Sequence, residues 1–329
     1  MKKAVVTGGA GFIGSHLAES LLREGTKVLI IDDLSTGQQK NVDEIARLTG
    51  NTPEFLRADL NDDAAFDAIC DFQPEILFHV AAQANVRLSV EKPAFDATTN
   101  ILGTIRLLQA SEKAKVKGFI FSSTGGAIYG EQLSFPATED HRTAPECPYG
   151  VSKRAAELYI EYYARVAGFA GIALRYGNVF GPRQNPKGEA GVVAIFTDRL
   201  MKGQELVVNG DGEQTRDFIY VGDVVSANVL AAKAVLSSKL KLDRNFSVFN
   251  VGRGKEASVN DVARAIQTAW RETAPRGEEV APTRVVNGPS LPGEQRRSVI
   301  DNSKIARELG WKSQMGFEEG LVETVRSFR

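Results

Sequence analysis

Long apolar runs are missing from this chain. No stretch reaches the roughly 18 residues needed to cross a bilayer, and Met1-Lys2-Lys3 passes straight into strand-like Ala4-Val5-Val6-Thr7 without the apolar segment of a secretion signal. A cytoplasmic protein with no membrane partner is therefore expected. Cysteine and histidine are scarce: Cys70 and Cys147 show no motif spacing, and His16, His79 and His141 are scattered. No metal site and no histidine-based triad is expected. An excess of either charge is lacking too, with 40 basic against 41 acidic residues, so there is no footprint for nucleic acid, and any phosphate must be held locally. What remains is a chain of 329 residues, 43% hydrophobic and 25% charged, which excludes disordered and fibrous classes and is enough for one two-lobed unit or two domains.

Short β-branched runs alternate with segments of helical period: AVVTG, a helix from about Phe12 to Glu24, KVLIID, and later EILFHVAA and GFIFSST. That rhythm predicts an α/β fold with a doubly wound parallel (Rossmann) sheet. Tyr149 to Ala167 reads as a long helix and IALRYGNVFG as the next strand. After Gly181-Pro182-Arg183 the elements shorten between turn dipeptides such as Asn209-Gly210, so a smaller C-terminal α/β substrate lobe is expected. The domains read as 1–180, with about 217–252 returning to it, and 181–216 with 253–329. Within the returning stretch, FIYVGDVVSANVLAAKAV reads as a helix and NFSVFNVG as a strand.

The first strand runs into Gly8-Gly9-Ala10-Gly11-Phe12-Ile13-Gly14. Glycines are needed there because the turn is tight, the backbone must approach a pyrophosphate, and the helix N-terminus must offer N–H groups to the anion. Eighteen residues after Gly14 the second strand ends in Asp32-Asp33, which suits a carboxylate accepting bonds from ribose hydroxyls. A carboxylate there repels a 2′-phosphate and no arginine stands in IIDDLSTG, so NAD is favoured over NADP.

Tyr149 and Lys153 stand four apart at the start of the predicted helix, on one face. A tyrosine of pKa near 10 is only about 0.1% ionised at neutral pH, and a base near 7 needs roughly 4 kcal/mol of phenolate stabilisation. A lysine and the nicotinamide charge supply it. Ser122-Ser123-Thr124 follows the apolar strand GFIF, at the carboxyl end where open α/β sheets place ligands.

With these motifs the chain resembles the extended short-chain dehydrogenases/reductases, and most of all their UDP-glucose/UDP-galactose 4-epimerase branch. TGGAGFIG, YGVSK, DLND, FHVAAQANV, NILGT, FSSTGGAIYG, LRYGNVFGPRQ and GDGEQTRDFIYVGDV spread the likeness over nearly the whole length. The resemblance implies NAD as cofactor, a UDP-sugar as substrate and a homodimer built from the helices Thr98 to Ala114 and Tyr149 to Ala167. It implies a catalytic trio of Thr124, Tyr149 and Lys153. Around the cofactor it implies Gly8, Gly11, Phe12, Ile13, Gly14, Asp32, Asp33, Leu34, Ser35, Thr36, Gly37, Asp59, Leu60, Val80, Ala81, Ala82, Gln83, Asn100, Ser122 and Tyr176. For the substrate it implies Thr124, Asn178, Val192, Val193, Arg216, Glu294, Arg296 and Ser298. Arg296 stands in here for a family arginine whose place is taken by Leu291. Ser298 matches a position that is bulky in enzymes acting on unmodified hexoses and small in those admitting an acetamido group.

Related enzymes that dehydrate or decarboxylate the sugar carry a glutamate, or an Asp-Glu pair, after the catalytic hydroxyl residue, whereas this chain has Gly125-Gly126. Without another proton-transfer group the 4-keto sugar can only be reduced again. The other readings are a UDP-glucuronate 4-epimerase, a decarboxylase or 4,6-dehydratase, and a non-catalytic NAD sensor. The sensor is disfavoured because Tyr149 and Lys153 are both present.

Overall fold

The computed structural model describes all residues except 188–190, 239, 241, 277–282 and 291–294. Its centre is a seven-stranded parallel sheet. The strands are β1 (Lys3–Thr7), β2 (Lys27–Ile31), β3 (Glu54–Leu56), β4 (Ile76–His79), β5 (Gly118–Thr124), β6 (Ala170–Tyr176) and, further along the chain, β11 (Phe246–Val251). Their order is β11-β6-β5-β4-β1-β2-β3, so the winding reverses beside β1. That reversal opens a crevice at the carboxyl ends of the strands.

Helices cover both faces: α1 (Phe12–Arg23), α2 (Gln39–Thr49), α3 (Asp63–Phe72), the short α4 (Val86–Glu91) and α5 (Pro93–Ala97), α6 (Gly103–Lys113) and α7 (Pro148–Ala167). Successive residues of each strand feed opposite cores, as a doubly covered sheet demands. Ile30, Phe78 and Ile120 pack with Leu17 and Leu21 of α1 on one face. Leu29, Leu77 and Phe119 pack with Ile69 of α3 and Ile160 of α7 on the other.

The remaining strands are β7 (Asn178–Phe180), β8 (Leu206–Asn209), β9 (Thr215–Arg216), β10 (Phe218–Tyr220), β12 (Ala257–Ser258), β13 (Val285–Gly288) and β14 (Arg297–Ser298). With them come α8 (Val192–Met201), α9 (Val221–Leu236), α10 (Val259–Glu272), α11 (Ser303–Leu309) and α12 (Phe317–Phe328). Phe180, Phe196, Phe218 and Phe317 centre a separate core there. No described helix is long and apolar enough to cross a membrane.

Two sequence readings change. IALRYGNVFG is not one strand: it breaks at Gly177 into β6 and β7, and β7 leaves the main sheet to pair in parallel with β10. A Cβ on Gly177 would lie 2.6 Å from the carbonyl oxygen of Asp217, so the crossing is possible only without a side chain. Phe218-Ile219-Tyr220 is strand, and the helix begins at Val221. α9 then packs against α1 while β11 joins β6 in the main sheet.

One buried cluster joins α7 to the strand ends. Glu157, fully sealed from solvent, accepts from Ser123 Oγ at 2.7 Å and from Arg175 Nε and Nη2 at 2.9 and 2.7 Å. Arg175 also donates to Tyr129 Oη at 3.0 Å. Removing one partner of a buried pair leaves an uncompensated charge, which typically costs ~3–5 kcal/mol. Glu157→Gln is expected to lower the unfolding free energy by an amount of that order, read as a lower urea midpoint, and an unchanged midpoint would rule the pair out as the tie that holds α7.

Candidate active site

A cleft of about 660 Å³ opens along the carboxyl ends of β1, β2, β4, β5 and β6 and continues to β7, β9 and the start of α8. At one end is the turn between β1 and α1. Gly8 sits at φ +69°, and a Cβ there would lie 2.7 Å from the backbone nitrogen of Ala81. A Cβ on Gly14 would lie 2.1 Å from the Gly8 carbonyl oxygen, so helix and turn approach more closely than any side chain permits. The first backbone bond of α1 runs from Ser15 to Gly11, and no side chain caps its start. Phe12, Ile13 and Gly14 therefore present their N–H groups toward the cleft that they line.

Asp32 lines this end and has a task the sequence did not reveal. One of its oxygens accepts from Ala10 N at 3.0 Å and the other from Leu34 N at 2.9 Å, which locks the glycine turn to the end of β2. Burial raises its pKa against those two bonds. Each carboxylate oxygen retains a second lone pair, so ribose hydroxyls can still be met. Asp33 accepts from Ser35 N at 2.8 Å and Ser35 Oγ at 2.6 Å. The glycine cradle, the uncapped helix start and the carboxylate together fit a dinucleotide with unphosphorylated ribose.

At the other end the catalytic candidates converge. Thr124 closes β5, and Tyr149 and Lys153 come from the first turns of α7; all three line the cleft. Lys153 is buried, donates from Nζ to the Ser122 carbonyl oxygen at 2.8 Å, and lies 5.9 Å from the centre of the Tyr149 ring. Ser122 Oγ meets Tyr176 Oη at 3.0 Å. Tyr176 Oη also accepts from Asn228 Nδ2 at 2.8 Å, and burial pushes its phenol up to about 12. Tyr176 is thereby a neutral wall.

Of the other expected residues, Ser35, Thr36, Asp59, Leu60, Val80, Ala81, Ala82, Asn178, Val192, Val193 and Arg216 line the same cleft. Gln83 and Asn100 do not. Gln83 N donates to Asn100 Oδ1 at 2.9 Å, Asn100 Nδ2 returns a bond to the Gln83 carbonyl, and both side-chain amides donate to the buried carboxylate of Asp96. Ser152 of α7 also donates to Asp96. These residues brace the loop after β4 against α7 from behind, and Asn100 does so from a π-helical turn, Thr98–Leu102. Leu34 and Gly37 also fall outside the cleft lining, shaping the loop around Asp32.

Two substrate expectations do not fit this geometry. Arg296 turns to the surface, where both its Nη atoms bond to the Asp211 carboxylate at 2.8 and 2.9 Å. Ser298 is buried in β14, whose register sets it opposite Arg216, and it does not reach the cleft surface. Period-2 alternation explains it, because Arg297 faces out to Glu256 and its successor must face in. Among the described residues of this segment, Gln295 lines the cleft. Glu294 lies outside the described residues. Sequence reading also missed Arg87, Glu146 and Gln184 as lining residues, though Gln184 belongs to the GPRQ stretch that carried the resemblance.

Fold and site fit a dinucleotide-dependent enzyme on a Rossmann sheet, with Thr124, Tyr149 and Lys153 gathered at one end of the cleft. Residues 4–252 match the NAD dependent epimerase/dehydratase family, and the chain belongs to that family, with NAD as its cofactor. It is 39% identical over 327 residues to a UDP-glucose 4-epimerase of Mycolicibacterium smegmatis, covering 99% of this chain and 98% of that one. Among solved structures it is similar to a UDP-glucose 4-epimerase of Thermotoga maritima determined with UDP-glucose (43% identity, TM-score 0.87, 99% and 98% of the two chains). A UDP-glucose 4-epimerase of Thermus thermophilus in complex with NAD is similar at 39% identity and TM-score 0.86, again over 99% and 98%.

Asp217, set between the cleft residues Arg216 and Phe218, gives this site a pH signature. It accepts from Arg253 N at 2.9 Å and Gly254 N at 3.0 Å, and burial pushes its carboxyl up to about 6. The folded state thus binds this proton more tightly than the unfolded state does. The resulting stabilisation is fully present below the ordinary carboxylate value and is lost as pH rises through about 6. Between pH 7.5 and 5 the parent should gain roughly 1 kcal/mol relative to Asp217→Asn. Urea midpoints of the pair at both pH values check this, and a pH-independent difference would contradict it.

Proposed function

We propose that the enzyme interconverts the C4 epimers of a UDP-hexose, UDP-glucose and UDP-galactose, through a transient 4-keto sugar. In this reading 1–180 with 217–252 hold NAD, and 181–216 with 253–329 hold the nucleotide sugar. Bound NAD supplies the acceptor and donor of the C4 hydride. Tyr149 takes the C4 hydroxyl proton, directly or through Thr124, and gives it back on the return. Lys153, anchored on Ser122, holds positive charge beside the Tyr149 ring, which favours the phenolate. Asn178 and Arg216 meet the UDP diphosphate, Arg216 as a planar and permanently charged donor.

The observation that carries this choice lies just past Thr124. A Cβ on Gly125 would meet Ile300 Cδ1 at 2.9 Å and the Tyr176 carbonyl oxygen at 3.2 Å, so a side chain there would have to displace the Ile300 methyl and press on the carbonyl. Gly126 faces Asn178 Oδ1, 3.4 Å from where its Cβ would stand. The acid and base that dehydration requires are missing from the two positions after Thr124, Gly125 and Gly126, which favours return of the hydride over elimination. Glu146 is the cleft-lining carboxylate nearest in sequence to Tyr149, but it is exposed and contacts Glu131 N at 3.4 Å.

A homodimer belongs to the same reading. Leu102 of the π-helical turn, Phe95 of α5, and Leu158, Tyr162 and Val166 of α7 are exposed apolar side chains on neighbouring elements. A face of this kind normally marks an interface. Tyr162→Asp is expected to shift sedimentation from dimer toward monomer; a parent that already sediments as a monomer would overturn the dimer.

The purified protein should carry NAD(H) and convert UDP-glucose to UDP-galactose without added cofactor, as read by NMR. Tyr149→Phe should slow turnover at least ~100-fold with little change in UDP affinity. Strict dependence on added NADP, a 4-keto-6-deoxy product, or a near-normal rate in Tyr149→Phe would each refute its part of the proposal.

A further inference from the structure

Arg183, in the turn after β7, is held in an unfavourable state. Its backbone is left-handed, with φ +64°, a conformation that residues with a side chain rarely adopt. Its side chain is nearly enclosed, and Nη1, sealed from solvent, has no hydrogen-bond partner among the described residues. A strained backbone and an unmet buried donor both lower stability. Arg183 is also outside the lining of the cleft, so neither local stability nor direct ligand contact accounts for it.

What the residue makes is a bridge. Its Nη2 donates to Glu19 Oε2 at 2.6 Å, and its Nε lies 3.6 Å from Glu44 Oε2. The residue before it adds a second tie, because His16 Nε2 donates to the Pro182 carbonyl oxygen at 2.9 Å. Burial, and then the Arg183 charge, push the His16 imidazole down to about 4, so it stays neutral and does not compete for Glu19. Against burial, bonds from Arg183 and then Arg23 hold the Glu19 carboxyl below its usual range. His16 and Glu19 lie on α1, about one and two turns past Phe12, which with Ile13 and Gly14 lines the cofactor end of the cleft. On the other side of the bridge, β7 begins at Asn178 and the chain runs on to Val192 and Val193 of α8, and all three line the cleft. Arg183 thus joins the cofactor helix to the segment that carries the far wall.

We propose that Arg183 is a positioning residue for hydride transfer: its ion pair with Glu19 sets the separation between the cofactor helix α1 and the β7–α8 segment on the nucleotide-sugar side. The proposal rests on the UDP-hexose reading of this cleft. C4 of the sugar must come within reacting distance of the nicotinamide once to lose its hydride and again, by its other face, to regain it. A misplacement of about 1 Å can cost about 100-fold in rate. The affinity of each ligand, by contrast, is set by contacts within its own half of the cleft. The tie therefore acts on kcat, and on the return step above all, more than on binding.

The test compares the NAD-loaded parent with Arg183→Met, Glu19→Gln and the double variant, and with Arg183→Lys and Arg23→Met. The readouts are kcat and KM for UDP-glucose, UDP affinity by calorimetry, NAD content, melting temperature and the absorbance of NADH during turnover. Each single variant at Arg183→Met or Glu19→Gln is expected to lower kcat about tenfold, with UDP affinity and NAD content within about twofold of the parent. NADH should build up, because a 4-keto sugar that escapes leaves its hydride on the cofactor. The double variant should be no slower than either single one. Arg183→Lys should recover part of the rate, and Arg23→Met, which removes only the exposed partner of Glu19, should match the parent. An unchanged kcat in both single variants would overturn the proposal. So would a fall in melting temperature, NAD content and UDP affinity with kcat per bound NAD unchanged, which is the result a purely structural tie gives. Should Arg183→Met fail to fold, Glu19→Gln keeps the shape of the side chain without its charge, and the same outcomes decide. A parent that converts no UDP-hexose would refute the reading on which the proposal rests, a result distinct from equal rates in parent and variants.

Discussion

The end of the cleft that holds Thr124, Tyr149 and Lys153 depends on a carboxylate that never meets solvent. Glu157 stands one helical turn beyond Lys153 on α7 and accepts from Ser123 on β5 and Arg175 on β6. Three separately folded pieces are thereby held in one register. Ser123 is flanked by Ser122, whose carbonyl receives Lys153, and by Thr124 at the cleft surface. If α7 slid by one turn, about 5.4 Å, Lys153 would lose its carbonyl and Tyr149 its place in the cleft. A buried ion pair is a poor device for stability alone, because desolvation offsets much of its attraction. Here it has a directional use, because a bidentate guanidinium accepts only one orientation of its partner.

The nucleotide end rests on a parallel construction. Asp32 takes Ala10 N and Leu34 N, binding the glycine turn to the loop after β2. Asp96 takes Gln83, Asn100 and Ser152, binding the loop after β4 to α7. His79 is bridged between Thr7 and Thr104 with both ring nitrogens at 2.9 Å. Burial, and then the Lys153 charge, hold it well below its usual pKa, so it stays neutral and adds no competing cation beneath the cleft. Buried polar residues thus set the loops, and the cleft surface is left to glycines, short hydroxyl residues and a few charges.

Much of this was legible in the sequence wherever function and spacing are local. The glycine turn, the β2 carboxylates and the Tyr149/Lys153 pair each lie within one strand-turn-helix unit, so side-chain direction follows from helical or strand period. Contacts that close over long loops were not legible. Nothing in GEQRRSVID shows that Arg296 finds Asp211, 85 residues away, instead of the cleft. Nor does it show that β14 pairs with β9 and turns Ser298 inward. Gln83 and Asn100 sit inside cofactor-like motifs, yet their amides are spent on each other and on Asp96, a partner with no local signature. The break of IALRYGNVFG at Gly177 is likewise imposed by a strand 40 residues later, β10, whose approach at Asp217 leaves no room for a side chain.

In the proposed reaction a 4-keto sugar has to present both faces to one hydride donor. The sugar must turn while the nucleotide stays fixed, so binding energy has to be concentrated on the nucleotide half and kept off the reacting ring. The cleft is built with that asymmetry. Arg216, Asn178 and the opening of α8 line one part of the cleft, whereas past Thr124 the lining includes Gly126 and the neutral phenol of Tyr176. A carboxylate at position 126 would grip a ring hydroxyl and favour one orientation. A side chain at 125 would be crowded by Ile300 and the Tyr176 carbonyl, but Gly126 has ordinary contact distances around it. Its smoothness is therefore not a packing requirement, and the need for a ring that can rotate supplies the physical reason for leaving that position bare.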